Sequence, residues 1–456
     1  MLNERMQPSV YETSQRRILT DTVTVGVWTA VAKAAGALKI LIAARLFGTG
    51  DAMDAYLIAY LIPSFIADIL AAPLDTALVP ILVRRRELEG QQAAERLYSQ
   101  VLVAGVLILS VAAFIAIALA GALLPLLGAS FSPEKLAHTR WLFLAMLPVA
   151  PLSGLWAAAR AVLNTERRFA LSAGLPLITP LLSIAILLAA GAQWGVAALA
   201  AGTTAGILLQ AVACVAAAWH LGFRFRRDWT GVADSMRLVG SQYLPVVSMS
   251  LLMSSSALID QAMAARLASG SASAFNYGTR LAAVLMALGP LAIGTAVLPN
   301  ISQMIAGGET AQAYRILRRY AGIMTAASAA VVAVLILASR PLVRLVIGGG
   351  AFDEAGIQLV AAIQSVSLLQ VPIGVLLTIG LRLVSAQLAN QTLYGFAVAA
   401  VVLTVIFDVT LMHWMGLVGL AVAATCTRSV LVLYLFCKIR ELRLAPMAIS
   451  ASHPLS

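Results

Sequence analysis

Charge is scarce in this sequence: only 11% of its 456 residues are Asp, Glu, Lys or Arg. Ordinary soluble domains run nearer a quarter, so a water-facing surface cannot be assembled from this chain. The four histidines, His138, His220, His413 and His453, are scattered without metal-ligand spacing. The three cysteines, Cys214, Cys426 and Cys437, are odd in number and all fall in apolar stretches, which excludes a disulfide framework or a cysteine cluster for metal. No G-x-x-x-x-G-K-[ST] loop is present, so ATP does not drive this chain directly. Short alternating strands are missing, which excludes a β-barrel. Long polar loops are missing as well. The longest on the less basic side, near 128–139 and 339–355, leave little room for the acid/base residues of a membrane-embedded glycosyltransferase or ligase. The expectation is a protein that is not an enzyme and needs no cofactor.

What is abundant is apolar sequence: 61% of residues are hydrophobic and the mean hydropathy is +0.92. Many blocks exceed the roughly 18 residues that span a hydrocarbon core. In lipid each backbone amide needs a partner within its own segment, so these blocks are helices. The pattern predicts an all-α polytopic membrane protein with about twelve helices, near 20–47, 52–83, 98–127, 140–163, 170–190, 194–219, 238–265, 276–305, 314–338, 356–387, 393–412 and 415–437. Pro63, Pro73 and Pro80 predict bending in the second. Residues 1–19 are polar and carry no cleavable signal pattern.

The formal charge of +11 is placed to orient helices rather than to bind nucleic acid. Arg16 and Arg17, Arg84 to Arg86, Arg167 and Arg168, Arg224, Arg226 and Arg227, Arg315, Arg318 and Arg319, and Lys438, Arg440 and Arg443 all fall on one side. The opposite loops are poorer, with Lys135, Arg140, Arg266, Arg340 and Arg344 as exceptions. The bias places both termini in the cytoplasm and the basic loops against anionic lipid.

The chain repeats itself. "AARLFGTGDAMDAY" begins at Ala43 and "AARLASGSASAFNY" at Ala264, 221 residues later. Pro151 and Pro372, and Gly195 and Gly416, share that offset. Each copy holds an even number of helices, so the copies run parallel and a substrate site is expected between them near mid-depth. The organisation expected is an N-terminal segment (1–19), a six-helix bundle (20–219), a basic linker (220–237), a second six-helix bundle (238–437) and a tail (438–456).

Charges inside the bilayer are costly and face a cavity or a partner. Lys33 and Lys39 on the first helix and Arg280 on the eighth suit a multiply charged anion such as a pyrophosphate. Alternatively, Lys33 or Lys39 is neutralised by Asp68 or Asp75. Those two acids are seven residues apart and are expected on nearly one helical face. Asp68, Asp75, Asp260 and Asp408 are also candidates to couple transport to Na⁺ or H⁺. Asp54 is expected to cap or anchor the second helix.

The segment "AARLFGTGDAMDAYLIAYLIP" with "ALVPIL", and "GSASAFNYGTRLAAVLMALGPLAIGTAVLPNIS", resemble signatures of the MurJ (MviN) lipid II flippase family. That family belongs to the multidrug/oligosaccharidyl-lipid/polysaccharide exporter superfamily. "LPVAPLSGLWAAARAVLNTERRFA" and "GLVGLAVAAT" fit the same family, in order along nearly the whole chain. The resemblance implies a V-shaped pair of six-helix bundles around a cationic cavity. It also implies a substrate of undecaprenyl-pyrophosphate-linked sugar moved between leaflets. Lys33 and Lys39 then stand where the family carries helix-1 arginines, Arg280 matches its helix-8 arginine, and Asp54 its acidic residue before the helix-2 aromatic. Ile40, Ala67 with Asp68, and Thr279 depart from the pattern, and two further helices implied beyond position 437 are not carried.

The expected function is alternating-access flipping of lipid II or a related lipid-linked oligosaccharide from the cytoplasmic to the periplasmic leaflet of a bacterial inner membrane. Membrane potential, Na⁺ or H⁺ would supply direction. Membrane lipids and cell-envelope glycan synthesis proteins are the expected partners. The alternatives are an exopolysaccharide or capsule repeat-unit flippase and a cation-coupled multidrug antiporter.

Overall fold

A computed structural model describes residues 10–296, 310–348, 351–386 and 390–444. Its helices in chain order are α1 (Val10–Phe47), α2 (Asp51–Ile66), α3 (Ala72–Glu89), α4 (Gln91–Leu127), α5 (Pro133–Met146), α6 (Val149–Thr165), α7 (Phe169–Gly174), α8 (Ile178–Trp194), α9 (Val196–His220), α10 (Val232–Ala264), α11 (Ser271–Ala296), α12 (Thr310–Leu337), α13 (Ser339–Ile347), α14 (Glu354–Leu368), α15 (Gln370–Ala386) and α16 (Asn390–Leu444). Ten helical stretches among the described residues are long and apolar enough to cross a membrane. The last of these, Leu393–Arg440, is 48 residues long, roughly 70 Å of helix, and it breaks at Gly416 into two passes. With α11, the count reaches the twelve expected.

Boundaries differ from the sequence expectation where polar residues continue a helix beyond the bilayer. α1 starts at Val10 rather than near 20, and α16 runs to Leu444 rather than 437. α10 starts at Val232, so the irregular stretch between the bundles is 221–231, shorter than 220–237. The tail beyond 444 and the end of the eighth predicted helix (to 305) lie outside the described residues.

The repeat is written into the backbone. Gly195 has φ 56° and ψ −137°, and Gly416 has φ 58° and ψ −136°. This region is open to glycine and strained for any residue with a Cβ. Each glycine turns the chain sharply between two helices at the same point of its copy.

The three prolines of the second pass act unequally. Pro63 and Pro80 sit inside α2 and α3. Ahead of Pro73 the helix widens into a π turn, Ala67–Ala71, in which the Ala72 N–H reaches back to the Ala67 carbonyl. Proline has no N–H to bond the carbonyl four residues earlier, and the wider turn absorbs that defect.

One contiguous core runs through α2 to α9 and takes in the end of α1, parts of α10, the start of α11, α13, α14 and the middle of α16; smaller clusters join α11, α12, α14, α15 and α16 within the second copy. α5–α6 is the most buried span, whereas α1 and α10, the first helix of each copy, are among the least. These two flank the division between the copies. The side carrying 84–91, 166–169 and 221–231 is here termed the basic face, and the other the far face. Three of the five basic exceptions on the far face are neutralised locally. Lys135 meets Asp51 at 2.6 Å and Asp54 at 3.2 Å, and Arg340 and Arg344 meet Glu354 at 2.7 and 2.5 Å.

Candidate functional site

The candidate cleft lies where α1 meets α11. A Cβ on Gly36 would stand 3.5 Å from the Arg280 Nη2, so the guanidinium rests against α1 at a position without a side chain. Lys33 and Lys39 lie three residues to either side of Gly36. On an α-helix that places each about 60° around the axis and about 4.5 Å along it. Three cations therefore surround one patch of helix. None of them has an acidic partner within 4 Å among the described residues. The Arg280 Nε is buried and bonds to nothing there.

The floor of the cleft is hydroxylic. The Lys39 ammonium lies 3.5 Å from the Thr203 hydroxyl, and that hydroxyl is 3.1 Å from the Tyr56 hydroxyl. Tyr56 stacks on Tyr60, with ring centroids 6.1 Å apart. Tyr60 is close enough to Arg280 and Asp68 to interact with both, and Lys33 acts on Asp68 in the same way. Like charges gathered in a weakly polar setting repel, so this patch favours an anion.

At the far face the two copies are tied together. Asp54, 1% exposed, accepts the Gly270 N–H at 2.7 Å and the Ser273 N–H at 2.8 Å. It thereby caps α11 from the other copy, where a helix N-terminus favours negative charge. The Lys135 ammonium completes the carboxylate's shell at 3.2 Å and lies 3.8 Å from the Phe131 ring centroid. Ser269 donates to Asp51 at 2.6 Å, Tyr277 to the Gly48 carbonyl at 3.1 Å, Ser130 to the Ala265 carbonyl at 2.7 Å, and the Ala351 N–H to the Arg45 carbonyl at 3.2 Å. Toward the basic face, Tyr243 donates to the Leu70 carbonyl at 2.6 Å.

A profile described as "Lipid II flippase MurJ" matches residues 43–452. The chain belongs to the MurJ family. A probable lipid II flippase MurJ from Rhizobium meliloti is 25% identical over 91% of this chain and 79% of that protein. One from Synechocystis sp. is 32% identical over 50% of this chain, and the match spans less than half of that relative, 45%. A solved structure, lipid II flippase MurJ in an inward closed conformation, superposes with a TM-score of 0.79 at 19% identity, covering 92% of this chain and 87% of that one. The MurJ-like fold thus agrees with the expected helices.

Within this MurJ-family chain, the acidic residues part company. Asp68 and Asp75 do not share a face, because the π turn between them shifts the register. Asp68 is exposed toward Lys33, while Asp75 pairs with Arg160 on α6 at 3.3 Å and accepts from the Asn164 amide at 3.0 Å. Asp75 is therefore not the partner of Lys33 or Lys39. Asp54 does not cap its own helix, whose N-cap Gly50 leaves no side-chain bond there; it bonds across the copies instead. Asp260 interacts with Asp408, and both carry buried oxygens without a hydrogen-bond partner among the described residues. Arg428 acts on Asp260, and its Nη1 donates to the Gln370 side-chain oxygen at 2.6 Å. Arg160, Tyr60 and Thr203 are residues of these sites that sequence reasoning misses, and Lys135 is read there only as an exception to the charge bias. Arg160 alone carries a signal, an arginine inside an apolar run. No property of Thr203 or Tyr60 marks it until α9 and α2 are packed beside α1.

Proposed function

We propose that this protein flips an undecaprenyl-pyrophosphate-linked glycan, lipid II or a related lipid-linked oligosaccharide, across a bacterial inner membrane by alternating access. Membership of the MurJ family supports the cargo class. The observation that carries the reading is the Arg280 guanidinium seated on Gly36 between Lys33 and Lys39, without an acid in contact. A pyrophosphate supplies the missing negative charge, and its oxygens accept charge-assisted hydrogen bonds from all three. Lys39 and Lys33 act as point charges while Arg280 offers a planar fork. The polyprenyl tail stays in the bilayer.

The basic face is cytoplasmic in this reading, as the Lys/Arg bias requires, and both termini lie there. The far-face bonds around Asp54 hold the periplasmic side shut, so the cargo enters from the cytoplasmic leaflet. Opening exchanges those bonds for water and closes the basic face around α2–α3 and α10. Membrane potential or a Na⁺ or H⁺ gradient supplies direction, with Asp260 and Asp408 as the ion-binding pair and Arg428 as its counter-charge. Cell-envelope glycan synthesis proteins deliver and consume the cargo.

The test is complementation of cells depleted of their own lipid II flippase, with periplasmic exposure of lipid II as the readout. Arg280→Ala and Lys39→Ala abolish exposure while the folded protein remains in the membrane. Full activity in both variants overturns the cationic-cleft reading. Failure of the unaltered chain, present and folded, redirects the cargo to an exopolysaccharide or capsule repeat unit.

A further inference from the structure

A second basic site lies away from the cleft, on the perimeter of the first copy at the basic face. A cavity of about 580 Å³ opens between Thr24 of α1, the α6–α7 turn and the end of α9. Arg167, Arg168 and His220 line it, with Thr24 of α1 on one side and Phe169 and Leu171 as an apolar rim. Among the described residues, no acidic side chain is in its wall. The one acid of the turn, Glu166, faces away in an ion pair with Arg86. Arg167 and Arg168 have no ion-pair partner among the described residues. Arg167 holds φ 54°, the only positive φ of a non-glycine residue among those described. That is a conformation side chains rarely adopt.

His220 also lines a second cavity, of about 480 Å³, whose remaining walls are apolar: Leu155, Val212, Val215, Ala216 and Trp219. Trp219 and Val212 are more than half exposed on the bundle's outer surface. The basic cavity and the apolar groove therefore meet at one imidazole, where a membrane helix ends in a tryptophan at the headgroup level. A free anion would use the first cavity and leave the second unexplained. A peptide would find no backbone edge or acidic complement there.

The geometry points to a binding site for an anionic phospholipid, its phosphate against Arg167, Arg168 and His220 and one acyl chain along the Val212–Trp219 groove. Two guanidiniums and an imidazole match a phosphodiester, basic pockets at helix ends are where such headgroups bind, and the volume is that of a small-molecule site. The site's place in the leaflet at the basic face holds for either orientation of the chain. Because Thr24 belongs to α1, the bound lipid bridges the core of the first copy to the weakly buried helix that carries Lys33 and Lys39. It is distinct from the cargo cleft.

The test is binding of dioleoylphosphatidylglycerol, dioleoylphosphatidylcholine and inorganic phosphate to the purified full-length protein in detergent, read by native mass spectrometry and by fluorescence of the tryptophans. The expected result is preferential binding of the anionic lipid, about 30-fold weaker in the Arg167→Gly/Arg168→Gln variant. Arg167→Gly relieves the backbone at that position, so loss of binding is not loss of fold. Val212→Trp, which fills the groove, also lowers affinity for the anionic lipid. Equal binding of the two lipids, or unchanged binding in the double variant, overturns the proposal. Unchanged lipid affinity in Val212→Trp with full competition by inorganic phosphate overturns it in favour of a simple anion site.

Discussion

The motif that begins at Ala43 and its copy at Ala264 share a sequence pattern and differ in chemistry. Asp54 of the first copy corresponds to Phe275 of the second, Asp51 to Ala272, and Tyr56 to Tyr277. The first copy supplies a buried carboxylate and the second supplies the two N–H groups it accepts from, Gly270 and Ser273. The paired tyrosines also part: Tyr56 turns to Thr203 within its own copy, and Tyr277 crosses to Gly48 of the other. A duplicated fold with an unduplicated latch is what a two-sided carrier needs. Symmetry lets the halves rock against each other, and the asymmetry confines the strongest bonds to one face.

The largest way to break that comparison is Asp54→Ala. It strands Lys135 with only Asp51 and leaves two helix-terminal N–H groups uncapped. Removal of one member of a buried pair costs about 3–5 kcal/mol, drawn here from the closed far face. Labelling of a Ser273→Cys reporter by an impermeant maleimide should rise in the Asp54→Ala background. Unchanged labelling would show that the carboxylate is not the latch.

Where the copies agree, substitutions should agree. Gly195→Ala and Gly416→Ala each force a Cβ into the same disfavoured backbone, with nothing within 4 Å of it. Each should cost about 1–3 kcal/mol, and the thermal midpoints of the purified variants should fall by the same amount. Unequal falls would mean that the two turns do not bear equivalent loads.

Where the copies diverge, the tyrosines sharpen the contrast. Tyr277→Phe removes a hydrogen bond across the copies worth about 0.5–1.5 kcal/mol, so it should raise labelling at Ser273→Cys modestly. Tyr56→Phe should leave labelling unchanged and lower transport through loss of order at Thr203 and Lys39.

The smallest effect belongs to the stretch between the copies. The Asp228 carboxyl is held below the usual carboxylate range by the Thr230 hydroxyl and N–H. Its contribution to stability is present above the ordinary carboxylate pKa and is lost as pH falls through the lowered value. Asp228→Asn should lower the thermal midpoint slightly at pH 7, and the variant and its parent should converge as the pH falls below the lowered range of the Asp228 carboxyl. A difference that persists once that carboxyl is protonated would assign the effect to packing instead of charge.

Much of the cleft is legible in the amino-acid sequence. Lys33, Lys39 and Arg280 stand out because a charge inside an apolar run is conspicuous, and two of them lie around Gly36 by helical spacing alone. Asp54 is visible as an acid near a helix end, but not as the cap of a helix 216 residues further along the chain. Helical spacing gives Asp75 the wrong partners, because seven residues mean one face only on an uninterrupted α-helix. Nothing in the neighbours of Arg428 along the chain announces its contact with Gln370.

By itself, the sequence determined the membrane class, the twelve passes, the duplication and the cations of the cleft. Those properties are local sums: hydropathy over a window, a repeated string, a charge among apolar neighbours. Only the tertiary structure decided which acid meets which base. Partner choice depends on helix rotation, and one residue of register turns a side chain by about 100°, so the single π turn at Ala67–Ala71 was enough to send Asp68 toward Lys33 and Asp75 to Arg160.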